Sequence, residues 1–288
     1  MLDGFTLKRV ATTETEINLR MAGQGPPLLL LHGYPQTHVM WHKIAPHLAE
    51  RFTVVLADLR GYGDSGKPPG GENHEAYSKR AMARDQVEVM AALGFERFAV
   101  VGHDRGARVT HRLVLDHPER VTKAAVLDIA PTLAMYEGTD MAFARAYYHW
   151  FFLIQPHDLP ERMIGADPDY YLDRKMGAWS KAESPFAPEA LVEYKRCFRE
   201  PATIHATCED YRAAASIDLD HDRADLDRRI TCPLLVLWGA HGVIERCFDA
   251  LAEWRARADQ VTGRVLPCGH YLAEEAPEET LKDLLAFL

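Results

Sequence analysis

Cysteine is scarce in this chain: five residues in 288, at Cys197, Cys208, Cys232, Cys247 and Cys268. The number is odd and no two form a Cys-x-x-Cys pair, so neither a disulfide framework nor a thiolate metal site is expected. Positive charge is also in deficit. With 33 Lys and Arg against 42 Asp and Glu the formal charge is −9, which disfavours a nucleic-acid or anionic-membrane partner, although a local basic site can still bind a small anion. Long apolar runs are missing, and Met1-Leu2-Asp3-Gly4 has neither a basic n-region nor an apolar h-region. The expectation is a soluble cytoplasmic protein. No internal repeat or low-complexity linker breaks the chain, and 47% hydrophobic residues are enough for a large core.

Strand-like runs occur at Pro27 to Leu31, Phe52 to Ala57, Phe98 to Val101, Ala124 to Leu127, Leu234 to Trp238 and Thr262 to Leu266. Several are unbroken apolar stretches, as expected of a parallel sheet covered on both faces, and segments such as Lys79 to Leu93 read as the covering helices. The fold class is therefore α/β. About a hundred residues separate the runs ending at Asp128 and starting at Leu234, whereas connections in α/β units are usually ~2 to 6 residues. This predicts an inserted helical cap over 133–217, with the core formed by 1–132 and 218–288. Ala142 to Gln155 and Glu189 to Arg199 are its clearer helices.

The most informative stretch is Gly102-His103-Asp104-Arg105-Gly106, between a strand-like run and a helix-like one. Small residues two positions either side permit a sharp turn that exposes Asp104 near the positive end of the following helix. Such a turn often carries a serine. An attacking carboxylate instead leaves an ester, which water can cleave at the enzyme's own carbonyl carbon, so displacement at sp3 carbon in alkyl halides or epoxides becomes workable. The alternative is a helix-capping Asp104. Arg105 and Arg108 lie one turn apart at a helix start, where the macrodipole disfavours cations. They call for an anion, either a substrate carboxylate gripped by guanidinium forks or acidic surface neighbours.

The motifs His32-Gly33-Tyr34-Pro35, Asp58 through Ser65, Gly102 through Gly106, Leu127-Asp128-Ile129, His149-Trp150 and Gly269-His270 together resemble an α/β-hydrolase. More closely the chain is similar to the haloacetate dehalogenases, fluoroacetate dehalogenases among them. That resemblance covers nearly the whole sequence and implies an α/β-hydrolase fold, a mostly parallel sheet flanked by helices, with an inserted helical cap. It implies Asp104 as nucleophile, His270 as the base that activates water, and Asp128 as the acid orienting it. Glu245 is the alternative acid, because the position after the seventh strand where many relatives carry one is Gly242. The backbone amides of Tyr34 and Arg105 are candidates for the oxyanion hole. Arg105 and Arg108 would bind the substrate carboxylate. His149, Trp150 and Tyr211 resemble a halide cradle, and Trp179 is a candidate pocket wall; by composition alone these aromatics could simply be packing.

The implied partners are a small anionic 2-haloacid and water, with no metal or cofactor, and the resemblance suggests a homodimer. An epoxide hydrolase with the same nucleophile and two of Tyr147, Tyr148 and Tyr211 as proton donors is the nearest rival. A catalytically inert small-acid sensor is another. Two further patterns are set aside. Gly61 through Gly66 matches a dinucleotide motif but is followed by Lys67-Pro68-Pro69, which cannot open a helix. Asp218, Asp220 and Asp222 imitate a calcium loop, but Arg223 and Arg229 stand where glycine and glutamate are needed.

Overall fold

The computed structural model describes residues 1–183 and 185–288. Among them the strands are β1 (Thr6–Ala11), β2 (Glu16–Ala22), β3 (Pro27–Leu31), β4 (Thr53–Ala57), β5 (Phe98–His103), β6 (Val121–Leu127), β7 (Leu234–Gly239) and β8 (Val261–Leu266). They form one sheet in the order β1-β2-β4-β3-β5-β6-β7-β8. From β4 to β8 along this order all pairs are parallel. The β1-β2 hairpin joins it antiparallel at one edge. Sequence reading locates β3 to β8 and misses this hairpin. The reason is physical: β1 is mostly exposed, so it lacks the buried apolar run that marks the interior strands. Residues Leu28 to Leu31, Val54 to Ala57 and all of β5 are buried, because helices cover both faces of the sheet.

On the core side the helices are α1 (Ala45–Leu48), α2 (Lys79–Ala92) and α3 (Arg105–Asp116). Between β6 and β7 come α4 (Thr132–Glu137), α5 (Met141–Ala146), α6 (Tyr148–Leu153), α7 (Leu159–Ala166), α8 (Pro168–Trp179), α9 (Pro188–Phe198), α10 (Pro201–Ala214) and α11 (Ile217–Ala224). The chain closes with α12 (Val243–Cys247), α13 (Ala250–Arg255), α14 (Leu272–Glu275) and α15 (Pro277–Phe287). Among the described residues no helix is long and apolar enough to cross a membrane.

One expectation needs correction. The single helix predicted over Ala142 to Gln155 is two helices, divided at Tyr147, whose φ of −110° and ψ of 35° are not helical. Tyr147 and His149 are both buried, yet two positions apart on a continuous helix they would face roughly 200° away from each other. The break lets both point inward. The aspartates that imitate a calcium loop lie on α11, where Asp218 accepts from the Lys79 amide at 2.8 Å. A helix cannot wrap an ion as that loop does.

Candidate active site

Register brings the site together. His103 at the end of β5 pairs with Leu127 at the end of β6, and Leu127 with Leu237 of β7. Asp104 and Asp128 thus emerge side by side at the carboxyl edge of the parallel strands, where ligands bind in open α/β sheets. His270 arrives from the loop after β8. His103 holds that loop, its Nε2 donating to the His270 carbonyl at 2.8 Å.

Asp104 has φ 46° and ψ −113°, a conformation that L-residues rarely adopt and that costs on the order of 1–3 kcal/mol. Its neighbours make the turn feasible: a Cβ on Gly106 would lie 2.4 Å from the His32 and Leu31 carbonyl oxygens, and one on Gly102 2.4 Å from the Gly106 oxygen. The side chain does not cap α3. Instead Oδ1 accepts from the Tyr34 amide at 2.9 Å, an approach open only because residue 33 is glycine; a Cβ there would stand 2.8 Å from Oδ1. Burial pushes the Asp104 carboxyl up, but the charges of His270, Arg108 and Arg105 outweigh it and hold the group below the usual carboxylate range.

His270 Nδ1 donates to Asp128 Oδ2 at 2.6 Å, which leaves Nε2 facing Asp104 Oδ2 at 3.9 Å. Asp128 Oδ1 also accepts from the Gly239 amide at 2.9 Å. Burial disfavours charge on His270, yet the bond to Asp128 and the negative charges of Asp128 and Asp104 hold its pKa above the ordinary imidazole value. Glu245, the alternative acid, instead accepts from Trp238 Nε1. A Cβ on Gly242 would lie 3.3 Å from Asp128 Oδ1, so the position after β7 and the position after β6 converge on one point.

Arg105 and Arg108 are both buried. The anion expected for Arg105 is supplied by the protein: Nε and Nη2 donate to the two carboxylate oxygens of Asp210 at 2.8 and 2.7 Å. Asp210 also accepts from Tyr62 at 2.6 Å and from Lys79. These cations pull its pKa far down against burial. Only Nη1 of Arg105 has no partner among the described residues. Arg108 differs. Its Nη1 donates to Ala130 O and Thr132 Oγ1 at 3.2 and 2.9 Å, its guanidinium lies 4.6 Å from the Trp150 ring centroid, and its Nε is unpartnered among the described residues. Burial and the Arg105 charge lower its pKa.

Around this pair the polar atoms His149 Nδ1 and Nε2, Trp150 Nε1 and Tyr211 Oη are buried and without partners among the described residues. Buried polar groups are nearly always satisfied, so these four atoms, at least three of them donors, make this a candidate binding place. Burial, then the charges of Lys175 and Arg105, pushes His149 well below its usual value, while burial and the nearby Asp104 charge push Tyr211 well up. Both are neutral donors at neutral pH. Trp179 stands between His149 and His270, its ring centroid 4.6 and 4.9 Å from theirs. Tyr148 is half exposed, whereas Tyr147 is buried.

Sequence reasoning missed Asp210 and Lys175. Asp210 adjoins Tyr211, but its partner Arg105 is 105 positions away and nothing local announces the pair. Lys175 is buried in α8 with its Nζ 4.0 Å from the Trp179 ring centroid. Its spacing of four from Trp179 was the available signal.

The sheet order, the strand-turn-helix at Asp104 and the His270–Asp128 pair are those of a hydrolase built on an α/β sheet. A family model for the alpha/beta hydrolase fold matches residues 26–277, and the chain belongs to that family. It is 47% identical to a fluoroacetate dehalogenase of Burkholderia sp, over all of this chain and 95% of that one. A soluble epoxide hydrolase of Corynebacterium sp. is 33% identical over 92% of this chain and 91% of its own. Among solved structures, an α/β hydrolase from Nostoc sp PCC 7120 superposes with TM-score 0.99 at 64% identity, covering 100% of this chain and 99% of that one. A mutant from Pseudomonas aeruginosa described as an epoxide hydrolase, with bound MFA, gives TM-score 0.95 at 50% identity, covering 100% and 97%.

Proposed function

We propose that this protein is a hydrolytic haloacetate dehalogenase, converting a short 2-haloacid to the 2-hydroxyacid and halide through an ester on Asp104. The observation that carries this reading is the buried Arg108 guanidinium, with no carboxylate within ion-pair distance among the described residues, close to an ionised Asp104 and to a cluster of neutral polar side chains whose polar atoms have no partner there. Once Asp104 is esterified, a neutral substrate would leave that cation without its nearby counter-charge, which is costly in a closed site. The full-length similarity to a fluoroacetate dehalogenase supports the same choice.

The substrate carboxylate binds Arg108 and the free Nη1 of Arg105, which aims its halogen-bearing carbon at Asp104. Oδ2 attacks that carbon, and the halide leaves with the bond pair into the donors of His149, Trp150 and Tyr211. Water then attacks Cγ of the ester and gives a proton to His270 Nε2. The oxyanion develops on Oδ1, held by the Tyr34 amide and by the Arg105 amide, which finds no acceptor among the described residues. Collapse breaks the Cγ–Oδ2 bond and releases the hydroxyacid, whose oxygen takes the proton back from His270; the water's second proton leaves the new Asp104 carboxyl for solvent, which restores the carboxylate. Esterification removes one of the three negative charges, those of Asp128, Asp104 and Glu275, that raise the His270 pKa. The imidazole therefore becomes more readily neutral at the step that needs a base.

The residues between β6 and β7 act in this reading as a cap, contributing the halide donors from α6 and α10. The test is halide release from chloroacetate by the parent and by Asp104→Ala, together with a single turnover in 18O-water. Label should enter Asp104; label found only in the hydroxyacid would refute the ester route. A neutral epoxide serves as control, because Tyr147 and Tyr211 are both buried near Asp104. Turnover of the epoxide but of no haloacid would favour that chemistry instead.

A further inference from the structure

A cavity of about 540 Å³ opens beside the reaction centre, with His270 and Trp179 in its wall. Five of its lining residues are cations: Arg145, Arg174, Lys175, Lys181 and Arg246. None of its lining residues is Asp or Glu, in a chain that carries 42 acids against 33 Lys and Arg. Among the described residues none of the five forms an ion pair, although elsewhere on the surface Arg80, Arg196, Arg199 and Arg229 all do. The lining thus reverses the sign of the whole molecule.

The five are not equivalent. Arg145, Arg174, Lys181 and Arg246 are exposed, while Lys175 is buried at the inner end. Its Nζ lies 4.0 Å from the Trp179 ring centroid and 4.5 Å from that of Tyr148. Contact with two aromatic faces steadies an ammonium without neutralising it. Trp179 in turn touches His270 and His149. The cations of the cavity wall therefore lead from solvent to Trp179, whose other ring contacts include His149 and also His270, which lies beside Asp104.

We propose that this cavity is an anion-capture vestibule, in which the exposed arginines and Lys181 draw small monocarboxylates in and Lys175 passes them beside Trp179 to Arg108. The proposal rests on the haloacid reading for the identity of the anion, but not for the existence of the vestibule. A cleft with low-dielectric walls and one sign of charge concentrates field lines and raises the encounter rate of opposite charge, an effect lost as salt rises. Burial lowers the Lys175 pKa well below the ordinary lysine value, with the Asp104 charge opposing. An arriving carboxylate would favour its protonated form.

The experiment compares the parent with Arg145→Gln/Arg174→Gln/Arg246→Gln and, separately, with Lys175→Met. Halide release is followed from chloroacetate and from neutral chloroacetamide across ionic strength. For the parent, kcat/KM on chloroacetate should fall steeply with salt. For the triple variant it should start roughly 5- to 20-fold lower and be nearly flat, while chloroacetamide is unaffected. An unchanged salt slope, or equal loss on the amide, overturns the proposal. A second readout needs no turnover: quenching of Trp179 fluorescence, isolated by a Trp179→Phe control, by iodide and by neutral acrylamide. Both the triple variant and Lys175→Met should lose the excess iodide quenching and keep that by acrylamide. If they keep the iodide excess, the vestibule is refuted. If they lose it while the parent releases no halide from any haloacid, the vestibule stands and the haloacid reading falls.

Discussion

Replacing Arg108 by methionine separates binding from folding, because the two effects should have opposite signs. In the folded protein Arg108 is buried with no carboxylate within ion-pair distance among the described residues, and Arg105 repels it. Methionine keeps much of the length and fills irregular space without a charge. Replacing a buried ionic group by a well-packed apolar one often stabilises by about 1–4 kcal/mol. Against this stands the Ala130 carbonyl left without its donor, a cost of about 1 kcal/mol or slightly more. Unfolding free energy should therefore be unchanged or raised by up to about 3 kcal/mol, with Tm moving up roughly 2–4 °C for each kcal/mol. Activity should fall. Losing one partner of a buried charge-assisted contact costs about 2–5 kcal/mol, which is roughly 30- to 4,000-fold in kcat/KM for chloroacetate. The assays are thermal unfolding by circular dichroism and halide release by electrode. A variant that unfolds several degrees earlier, or that keeps its chloroacetate turnover, refutes the assignment of Arg108 to the substrate carboxylate.

Asp210→Asn keeps shape but strips the counter-charge from Arg105, while Lys79 retains Asp218 at 3.4 Å; breaking a buried pair costs about 3–5 kcal/mol, so Tm should drop by roughly 6–20 °C, measured by the same unfolding assay. Trp150→Phe removes the indole donor and keeps most of the ring. It should slow C–F cleavage by roughly 10²–10³-fold and C–Br cleavage much less, since bromide needs less help in leaving; equal losses in halide-release rates would contradict a cradle role. Asp104 is held below its ordinary range and His270 above its own. Alkylation needs an ionised Asp104, so kcat/KM should stay level through neutrality and fall only in strong acid. Ester hydrolysis needs a neutral His270, so kcat should fall as pH drops through the imidazole's titration. Initial-rate profiles that show the same acid limb in both parameters would refute this division of labour.

Asp104, Asp128 and His270 were legible because each directly follows a strand, or sits in the loop after one, with small neighbours such as Gly102, Gly106 and Gly269. Local sequence determines such positions. The partner of Arg105 was not legible, since Asp210 reaches it only after the chain has passed through six intervening helices. The macrodipole argument asked for an anion beside each arginine: Asp210 supplies one to Arg105, whereas no carboxylate among the described residues pairs with Arg108. The aromatic run Tyr147 to Phe152 misled in another way: its apolar residues fit any face of a helix, so periodicity gave no hint that the backbone breaks at Tyr147. Lys175 offered only its spacing of four from Trp179, and its burial is a tertiary fact that this spacing does not carry.

The grip of Asp210 on Arg105, Tyr62 and Lys79 has a bearing on motion. It rivets α10 to the elbow through charges that water cannot reach, and a hinge lifting the helix away would have to sever all three contacts at once. Wholesale opening is thus an expensive way to exchange reactant and product. A swing of the half-exposed Tyr148 side chain in the cavity wall, a picosecond-to-nanosecond event for exposed residues, breaks none of these contacts.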